Sequence, residues 1–244
     1  MRRALAALVL AAAVVAPAPA SADHSVLAGQ WHLDESEPFG DGGPESGPAA
    51  DSSGHGIHGQ RTRVLPVAGM FGGAFAFDGS SSQVEIPAAT SVLEPPRLSV
   101  VTWVRSTDAG QGGYRYVAAK GDGDCRGASW AFYTGRGAAA GGLSFYVWDG
   151  VVDDLAGSWT DSPTVQAGEI WDGEWHAVTG TFDGSTVRLF VDGAEVGSGV
   201  PQPAPIAYGL PERRMMLGRS ARDSCANHWN GSLDEFRVYN RALT

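Results

Sequence analysis

The stretch 174–193, EWHAVTGTFDGSTVRLFVDG, decides the fold class of this chain. Two runs of alternating residues flank Asp183-Gly184, and a second Asp-Gly pair at 192–193 ends the unit. Asp-Gly between two such runs predicts a hairpin, because the turn needs a positive φ that glycine adopts without strain. One face of the second run is apolar, and opposite it lie Arg188 and Phe190. The apolar set is Val187, Leu189 and Val191.

Runs with the same strand character recur along the chain, and 34 glycines spread between them indicate many turns. No segment shows a strong helical period with caps, so the sequence predicts an all-β, antiparallel two-sheet sandwich or jelly roll. The stretch 36–60 lacks apolar periodicity and is predicted to be a surface loop. The predicted strands are 26–33, 62–66, 74–77, 83–86, 98–105, 116–120, 129–134, 143–148, 175–182, 186–192, 215–218 and 232–239.

Residues 1–22 have the pattern of a secretory signal peptide, with Arg2 and Arg3 before an apolar run and an Ala-x-Ala site at 20–22. The apolar run is shorter than the roughly 20 residues that a membrane span needs, which favours cleavage over anchoring. The sequence therefore predicts an extracellular protein without membrane insertion, whose single domain is 23–244.

The net charge of the chain is −10, and removal of 1–22, which holds two arginines and no acid, leaves −12. An acidic surface argues against nucleic acid and anionic membranes as partners. It is compatible with calcium and with neutral sugars.

Cys125 and Cys225 are the only cysteines of the chain. In an exported protein they predict one disulfide, and a loop of about 100 residues closed in this way adds roughly 4–5 kcal/mol in the loop-entropy model. Free thiols or metal ligands are disfavoured, because there is no CxxC and no histidine at zinc spacing.

Six pieces of sequence, in order, resemble the laminin-G-like jelly rolls of the concanavalin A-like lectin/glucanase superfamily in their bacterial secreted form. The resemblance implies the sandwich fold, recognition of carbohydrate or extracellular matrix, and calcium as a structural or bridging ion. It does not specify a function, since the fold hosts lectins, glucanases, lyases and adhesion modules. The pieces are 31–35 (WHLDE), 51–56 (DSSGHG), 73–79 (GAFAFDG), 98–104 (LSVVTWV), 175–193 and 231–243 (GSLDEFRVYNRAL).

Asp234 is the most informative carboxylate, because strict alternation places it on one face with Phe236 and Val238. A carboxylate on an apolar face is costly unless it is hydrogen-bonded or binds a cation. In the family the first and last strands are neighbours, which would bring Asp234 close to Asp34.

We therefore expect a structural calcium held by Asp34, Asp234 and loop carbonyl groups near Gly54, since calcium takes six to eight oxygen ligands. The alternative is that Asp234 accepts backbone N–H groups or pairs with Arg237 or Arg241.

No catalytic residue is predicted. Glucanases of this superfamily carry E-x-D-x-E or E-x-D-x-x-E on one strand, and the nearest stretch, 232–237 (SLDEFR), has serine where the first glutamate should be. His176 shares a predicted strand face with Val178 and Phe182, which favours a structural role. A glycoside hydrolase or polysaccharide lyase with an unfamiliar catalytic set remains the alternative.

Aromatic residues are the remaining functional signal, because sugar rings stack on Trp and Tyr faces. Tyr146 and Trp148 lie opposite the apolar face of their strand, and Trp159 and Trp229 lie in polar contexts. With Arg188 these are the predicted ligand-binding residues, although such rings also cover sheets and brace loops. The sequence thus predicts a secreted, non-catalytic module that binds glycan or an extracellular surface partner. A structural protein-adhesion module is a further alternative, and the oligomeric state is not predicted.

Overall fold

The structure is a computed structural model that describes residues 26–36, 45–87, 91–108, 113–122, 125, 127–135, 141–151 and 159–243. The predicted signal peptide, 1–22, lies outside these residues. The described chain is antiparallel β-structure with one short helix, α1 (Ala167–Ile170), and 3-10 turns at Ser91–Leu93 and Asp223–Cys225. None of its helices has the length and apolar character needed to cross a membrane.

The first sheet has nine strands among the described residues. Two of them lie off the main path, where β1 (Leu27–Trp31) pairs with β17 and β15 (Val200–Pro201) pairs with β13. The main path runs β14 (Ala194–Glu195), β13 (Thr186–Val191), β12 (His176–Phe182), β7 (Leu98–Arg105), β17 (Asn230–Tyr239), β5 (Gly73–Asp78) and β4 (Leu65–Ala68).

The second sheet has eight strands in the described part of the chain, and every described strand pair in both sheets is antiparallel. The predicted two-sheet, all-β sandwich is therefore confirmed. The spatial order is β11 (Trp159–Asp161), β10 (Ser144–Trp148), β9 (Trp130–Tyr133), β8 (Tyr116–Asp122), β16 (Glu212–Leu217), β6 (Gln83–Ile86), β3 (Gly59–Thr62) and β2 (Gly47–Ala49).

The predicted hairpin in 174–193 is confirmed as β12 and β13, which pair from Val178 with Val191 to Phe182 with Val187. Gly184 has φ +94°, as the turn requires. The Asp183 carboxylate accepts the N–H groups of Ser185 and Thr186 (both 2.9 Å), so this aspartate closes the turn.

Inward-facing apolar residues of both sheets form one buried core, as period-two alternation dictates. Gly180 of β12 permits a close approach between the sheets, because a Cβ there would lie 2.3 Å from the ring of Phe145. Large rings of this core include Trp31, Phe75, Phe182 and Phe236 from the first sheet, and Trp130, Phe132 and Phe145 from the second.

The prediction of a loop over 36–60 is wrong in part, because β2 and the start of β3 lie inside it. Gly47-Pro48-Ala49 has no β-branched residue and no alternation, so only its pairing with β3 defines it as a strand. The predicted strand 62–66 is divided at Arg63, which has φ +52°.

The prediction that Asp234 shares a face with Phe236 and Val238 is also wrong. Asp234 pairs with Trp103 and Arg237 with Val101, so two residues of β17 oppose one residue of β7. The extra residue, Glu235, has φ +54°. This bulge reverses the alternation, so that Asp234 points outward while the apolar residues around it point into the core. Those core residues are Leu233, Phe236 and Val238.

Candidate functional site

The outer face of the second sheet carries the aromatic residues that the core does not use. In β9, Trp130 and Phe132 point into the core, whereas Ala131 and Tyr133 point outward. In β10, Tyr146 likewise points outward, between two residues that face the core. Tyr146 pairs with Ala131 across the strands, and this small neighbour leaves space above the sheet.

This space is a pocket of about 280 Å³, which we call the tyrosine pocket. Tyrosines supply most of its aromatic surface, and a segment beside the disulfide supplies one wall. Its described lining consists of Tyr114, Tyr116, Cys125, Gly127, Tyr133, Tyr146, Trp159 and Asn227.

Two of the tyrosines form a rigid base. The rings of Tyr133 and Tyr146 meet edge to face at 5.0 Å. The Tyr146 hydroxyl accepts the N–H of Ala128 (2.8 Å), and the Tyr133 hydroxyl donates to an Asp161 carboxylate oxygen (2.8 Å). Burial raises the pKa of Tyr146 well above its ordinary value, so this hydroxyl stays protonated near neutral pH.

Three other rings are accessible from solvent. Tyr114 is 50% exposed, and Tyr116 and Trp159 are half-buried. A flat aromatic face with hydroxyl and amide groups around it suits a sugar ring, whose C–H face packs on the ring while its hydroxyl groups form hydrogen bonds. None of the described lining residues is acidic or basic.

Of the predicted ligand-binding residues, the structure brings Tyr146 and Trp159 together in this pocket. Trp148 is paired with Trp159 in the ladder but is buried, and its indole N–H points to the carbonyl of Val151 (3.4 Å). It therefore does not line the tyrosine pocket.

Arg188 and Trp229 lie elsewhere. Arg188 is in the first sheet and pairs with Asp183 (2.8 Å) and Glu195 (3.4 Å). Trp229 is 1% exposed and packs in the core against Trp171, with ring centroids 5.8 Å apart. Its polar sequence context suggested a surface position, but the ring turns inward and offers no surface to a ligand.

Sequence reasoning missed Tyr114, Tyr116, Tyr133 and Asn227. The outward position of Tyr133 could have been predicted from sequence, because strand alternation places Trp130 and Phe132 on one face and Tyr133 on the other. Asn227 could not, because its position beside the pocket depends on a loop far along the chain, held by a hydrogen bond from Tyr116 N–H to its carbonyl (3.0 Å).

A second feature is the Asp234 site, which we define as Asp34, Asp234 and the turn 69–73. Asp234 accepts the N–H of Phe71 (2.9 Å), and Asp34 accepts the N–H of Gly73 (2.6 Å). A Cβ at Gly69 would lie 2.8 Å from Asp234, so only glycine lets the turn approach this closely.

The chemistry of the Asp234 site fits a cation. Asp234 is fully buried, and its Oδ1 atom has no hydrogen-bond partner among the described residues. Burial, together with the nearby charges of Glu235 and Asp34, raises the pKa of Asp234 to about 6. The turn 69–73 directs N–H groups at both carboxylates, as the alternative to a cation predicted for Asp234, and the remaining Asp234 oxygen is a ligand of the type that calcium takes.

Gly54 does not lie at this site. Its loop is organised by Asp51, whose carboxylate accepts N–H groups of Gln30 (3.1 Å) and Ile57 (2.9 Å). The loop therefore covers β1 near its centre, and the turn 69–73 occupies the place that sequence reasoning gave to the Gly54 loop.

The predicted disulfide between Cys125 and Cys225 is confirmed, with Cα atoms 5.8 Å apart. Both ring nitrogens of His176 are satisfied, by Asp192 (2.8 Å) and Asp172 (3.2 Å), and its structural role stays a prediction.

Comparison with known families agrees with this geometry. The laminin G family model described as the concanavalin A-like lectin/glucanases superfamily matches residues 78–244. The chain belongs to this superfamily. No curated protein matches it in sequence.

Three solved structures show the fold that this superfamily member shares. Domain 4 of AbnA, a GH43 extracellular arabinanase from Geobacillus stearothermophilus in complex with arabinotriose, is 19% identical, with a TM-score of 0.59 over 90% of this chain and 94% of that one. Botulinum neurotoxin type C, whose cell entry depends on interaction with two ganglioside molecules, is 10% identical, with a TM-score of 0.64 over 91% of this chain and 49% of that one. Trypanosoma rangeli sialidase, in complex with 2,3-difluoro-KDN, is 14% identical, with a TM-score of 0.57 over 90% of this chain and 31% of that one.

Proposed function

We propose that this protein is a non-catalytic module that binds a neutral glycan in the tyrosine pocket. The observation that carries the proposal is the pocket itself, in which accessible aromatic rings lie beside hydroxyl and amide groups without a charged residue among the described lining. An aromatic platform with few, placed polar groups is typical of small-ligand sites.

The pocket suits a short, uncharged part of a glycan. Its volume of about 280 Å³ lies just below the usual range for ligand pockets, about 300–1,000 Å³, which favours one or two sugar residues over a long chain segment. The net charge of −10 disfavours sulfated or uronic acid polymers. Arabinotriose in the AbnA domain and gangliosides for the neurotoxin make glycans the first class to test.

The proposal includes that the tyrosine pocket does not cleave its glycan. Glycoside hydrolysis needs two carboxyl groups about 5–9.5 Å apart across the scissile bond. The described lining contains no acid, and the nearby Asp161 is engaged by the Tyr133 hydroxyl.

Export and calcium complete the proposal. The signal-peptide pattern in 1–22 supports an extracellular location, as does the disulfide. Calcium would be held by the carboxylates of Asp34 and Asp234. Its charge would neutralise the buried carboxylate and tie the chain after β1 to β17.

The first test is retardation of the protein in native gels that contain either a neutral polysaccharide, such as arabinan, or an acidic one. Isothermal titration then measures the affinity for oligosaccharides of any polymer that retards the protein. Tyr114→Ala should weaken binding roughly fivefold, about 1 kcal/mol, because an accessible ring is lost. Phe71→Ala is the matched control, since Phe71 is 54% exposed but lies over the first sheet.

Two results would contradict the proposal. An equal loss of affinity in Tyr114→Ala and Phe71→Ala would show that the glycan does not bind in the tyrosine pocket. Release of reducing ends or unsaturated products from any polysaccharide would make the protein an enzyme.

A further inference from the structure

The disulfide lies at the rim of the tyrosine pocket. Cys125 lines the pocket, and so does Gly127, two residues farther along the chain. On the other side, Asn227 lies two residues after Cys225 and also lines it. The cross-link therefore joins two parts of the pocket wall that belong to segments about 100 residues apart in sequence.

We propose that the Cys125–Cys225 disulfide positions this wall and makes ligand binding depend on redox state. Reduction by a thiol lowers the affinity of the pocket and leaves the sandwich folded. This inference rests on the proposed glycan-binding function of the pocket.

Hydrogen bonds and an ion pair anchor the Cys225 end of the disulfide. Around Cys225, Ser220 donates from its hydroxyl to the Cys225 carbonyl and from its N–H to the Ala226 carbonyl (both 2.7 Å). The Arg219–Asp223 ion pair (2.6 Å) holds the same 3-10 turn to the sheet. This end has its own contacts and keeps its place without the sulfur bond.

The Cys125 end has a strained backbone. Cys125 has φ +65°, a conformation that non-glycine residues rarely adopt, and its N–H is held by the Asp122 carboxylate (2.6 Å). The disulfide bond ties this backbone to the Cys225 turn. When the bond is broken, the backbone at Cys125 is released to relax toward an ordinary conformation.

Movement at Cys125 reaches the ligand-binding groups through its neighbours. The N–H of Ala128 is the donor that holds the Tyr146 hydroxyl (2.8 Å). A Cβ built at Gly127 would lie 3.6 Å from the Trp159 ring, so the Gly127 backbone lies close to that ring. Displacement of Gly127 and Ala128 would therefore open the wall and release Tyr146.

The core is independent of this region. Neither cysteine belongs to the inter-sheet core, whose large rings come from strands of both sheets. Cys125 is exposed and open to a reagent. In the reaction a dithiol supplies two electrons and two protons, the S–S bond becomes two thiols, and the dithiol becomes a disulfide.

The experiment compares the affinity of oxidised, dithiothreitol-reduced and reoxidised protein for the polysaccharide that retards it. We expect at least a tenfold loss on reduction and full recovery on reoxidation. The double variant Cys125→Ser, Cys225→Ser should bind like the reduced protein and should not respond to dithiothreitol, which controls for effects of the reagent. Equal affinity of the oxidised and reduced forms would overturn the inference.

Hydrogen exchange provides a readout without glycan. On reduction, exchange of the Ala128 amide should accelerate at least tenfold more than exchange of the Val178 amide of β12, which reports the loss of global stability expected from an opened cross-link. Equal acceleration at both amides would show that the disulfide acts only on global stability and would overturn the inference. If the oxidised protein binds no glycan, the proposed function fails, and the exchange of Ala128 still decides whether the disulfide positions the wall.

Discussion

The outer face of the first sheet is closed by a turn, whereas the outer face of the second sheet holds a pocket. On the first sheet, Phe71 of the turn 69–73 packs on Trp103 (5.8 Å) and lies over Asp234. On the second sheet, small residues such as Ala131 leave room between tyrosine rings. A bulge thus places a buried carboxylate on the outer face of the first sheet, whereas regular alternation places an accessible aromatic surface on the outer face of the second. Stability and ligand binding should consequently depend on different faces.

The largest expected effect concerns the first face. Calcium at 100 times its Kd should raise the free energy of unfolding by about 2.7 kcal/mol, which is about 5–10 °C in Tm for a chain of this size. Asp234→Asn should abolish this rise, because it removes the buried charge that the ion neutralises. Thermal melts with EDTA and with calcium measure the effect. An unchanged midpoint in wild-type protein would exclude a stabilising ion.

The second expected effect compares the replacement of one tryptophan on the outer face of each sheet. Trp159→Ala should weaken glycan binding by about 2 kcal/mol, roughly 30-fold, with little change in Tm, because Trp159 borders the pocket and lies outside the inter-sheet core. Trp103→Ala should do the reverse and lower Tm without changing affinity. Titration calorimetry and thermal melts of both variants are the measurements, and a loss of affinity in Trp103→Ala would break the separation.

The smallest expected effect is a difference in pH dependence. Burial raises the pKa of Asp234 to about 6, above its unfolded value of 3.8. Without a divalent cation, the stability contributed by the protonated group is complete below about pH 4 and is lost as pH rises through about 6. Calcium binds the ionised form, so the calcium-induced rise in Tm should grow through the same range.

Glycan affinity should stay flat from about pH 7 to about pH 9, because burial keeps the Tyr146 hydroxyl protonated. Melts of wild-type protein and Asp234→Asn at several pH values, alongside titrations with glycan, test both halves. A wild-type-minus-variant difference that does not change with pH would remove Asp234 as the titrating group.

The two sites differ in how far sequence predicted them. The nearness of Asp34 and Asp234 followed from the resemblance, and the pairing of β1 with β17 confirms that the first and last strands are neighbours. The orientation of Asp234 was wrong, since a bulge at Glu235 depends on the hydrogen bond of its N–H with His32 (3.3 Å), about 200 positions away. The outward position of Tyr146 was predicted from its alternation with apolar neighbours, and that of Trp159 from its polar sequence context. The same reasoning placed Trp229 wrongly at the surface, because polar neighbours in sequence do not exclude a buried ring.

The sequence by itself determined the hairpins, because alternation and Asp-Gly turns act between residues that are close along the chain. It also determined the sandwich, since strands with one apolar face must bury that face against another sheet. Only the tertiary structure decided which outward residues meet, because a pocket wall joined through Cys125 and Cys225 depends on strand order and loop path. A single extra residue in β17 was enough to reverse a face, and no local pattern in the sequence records such a shift.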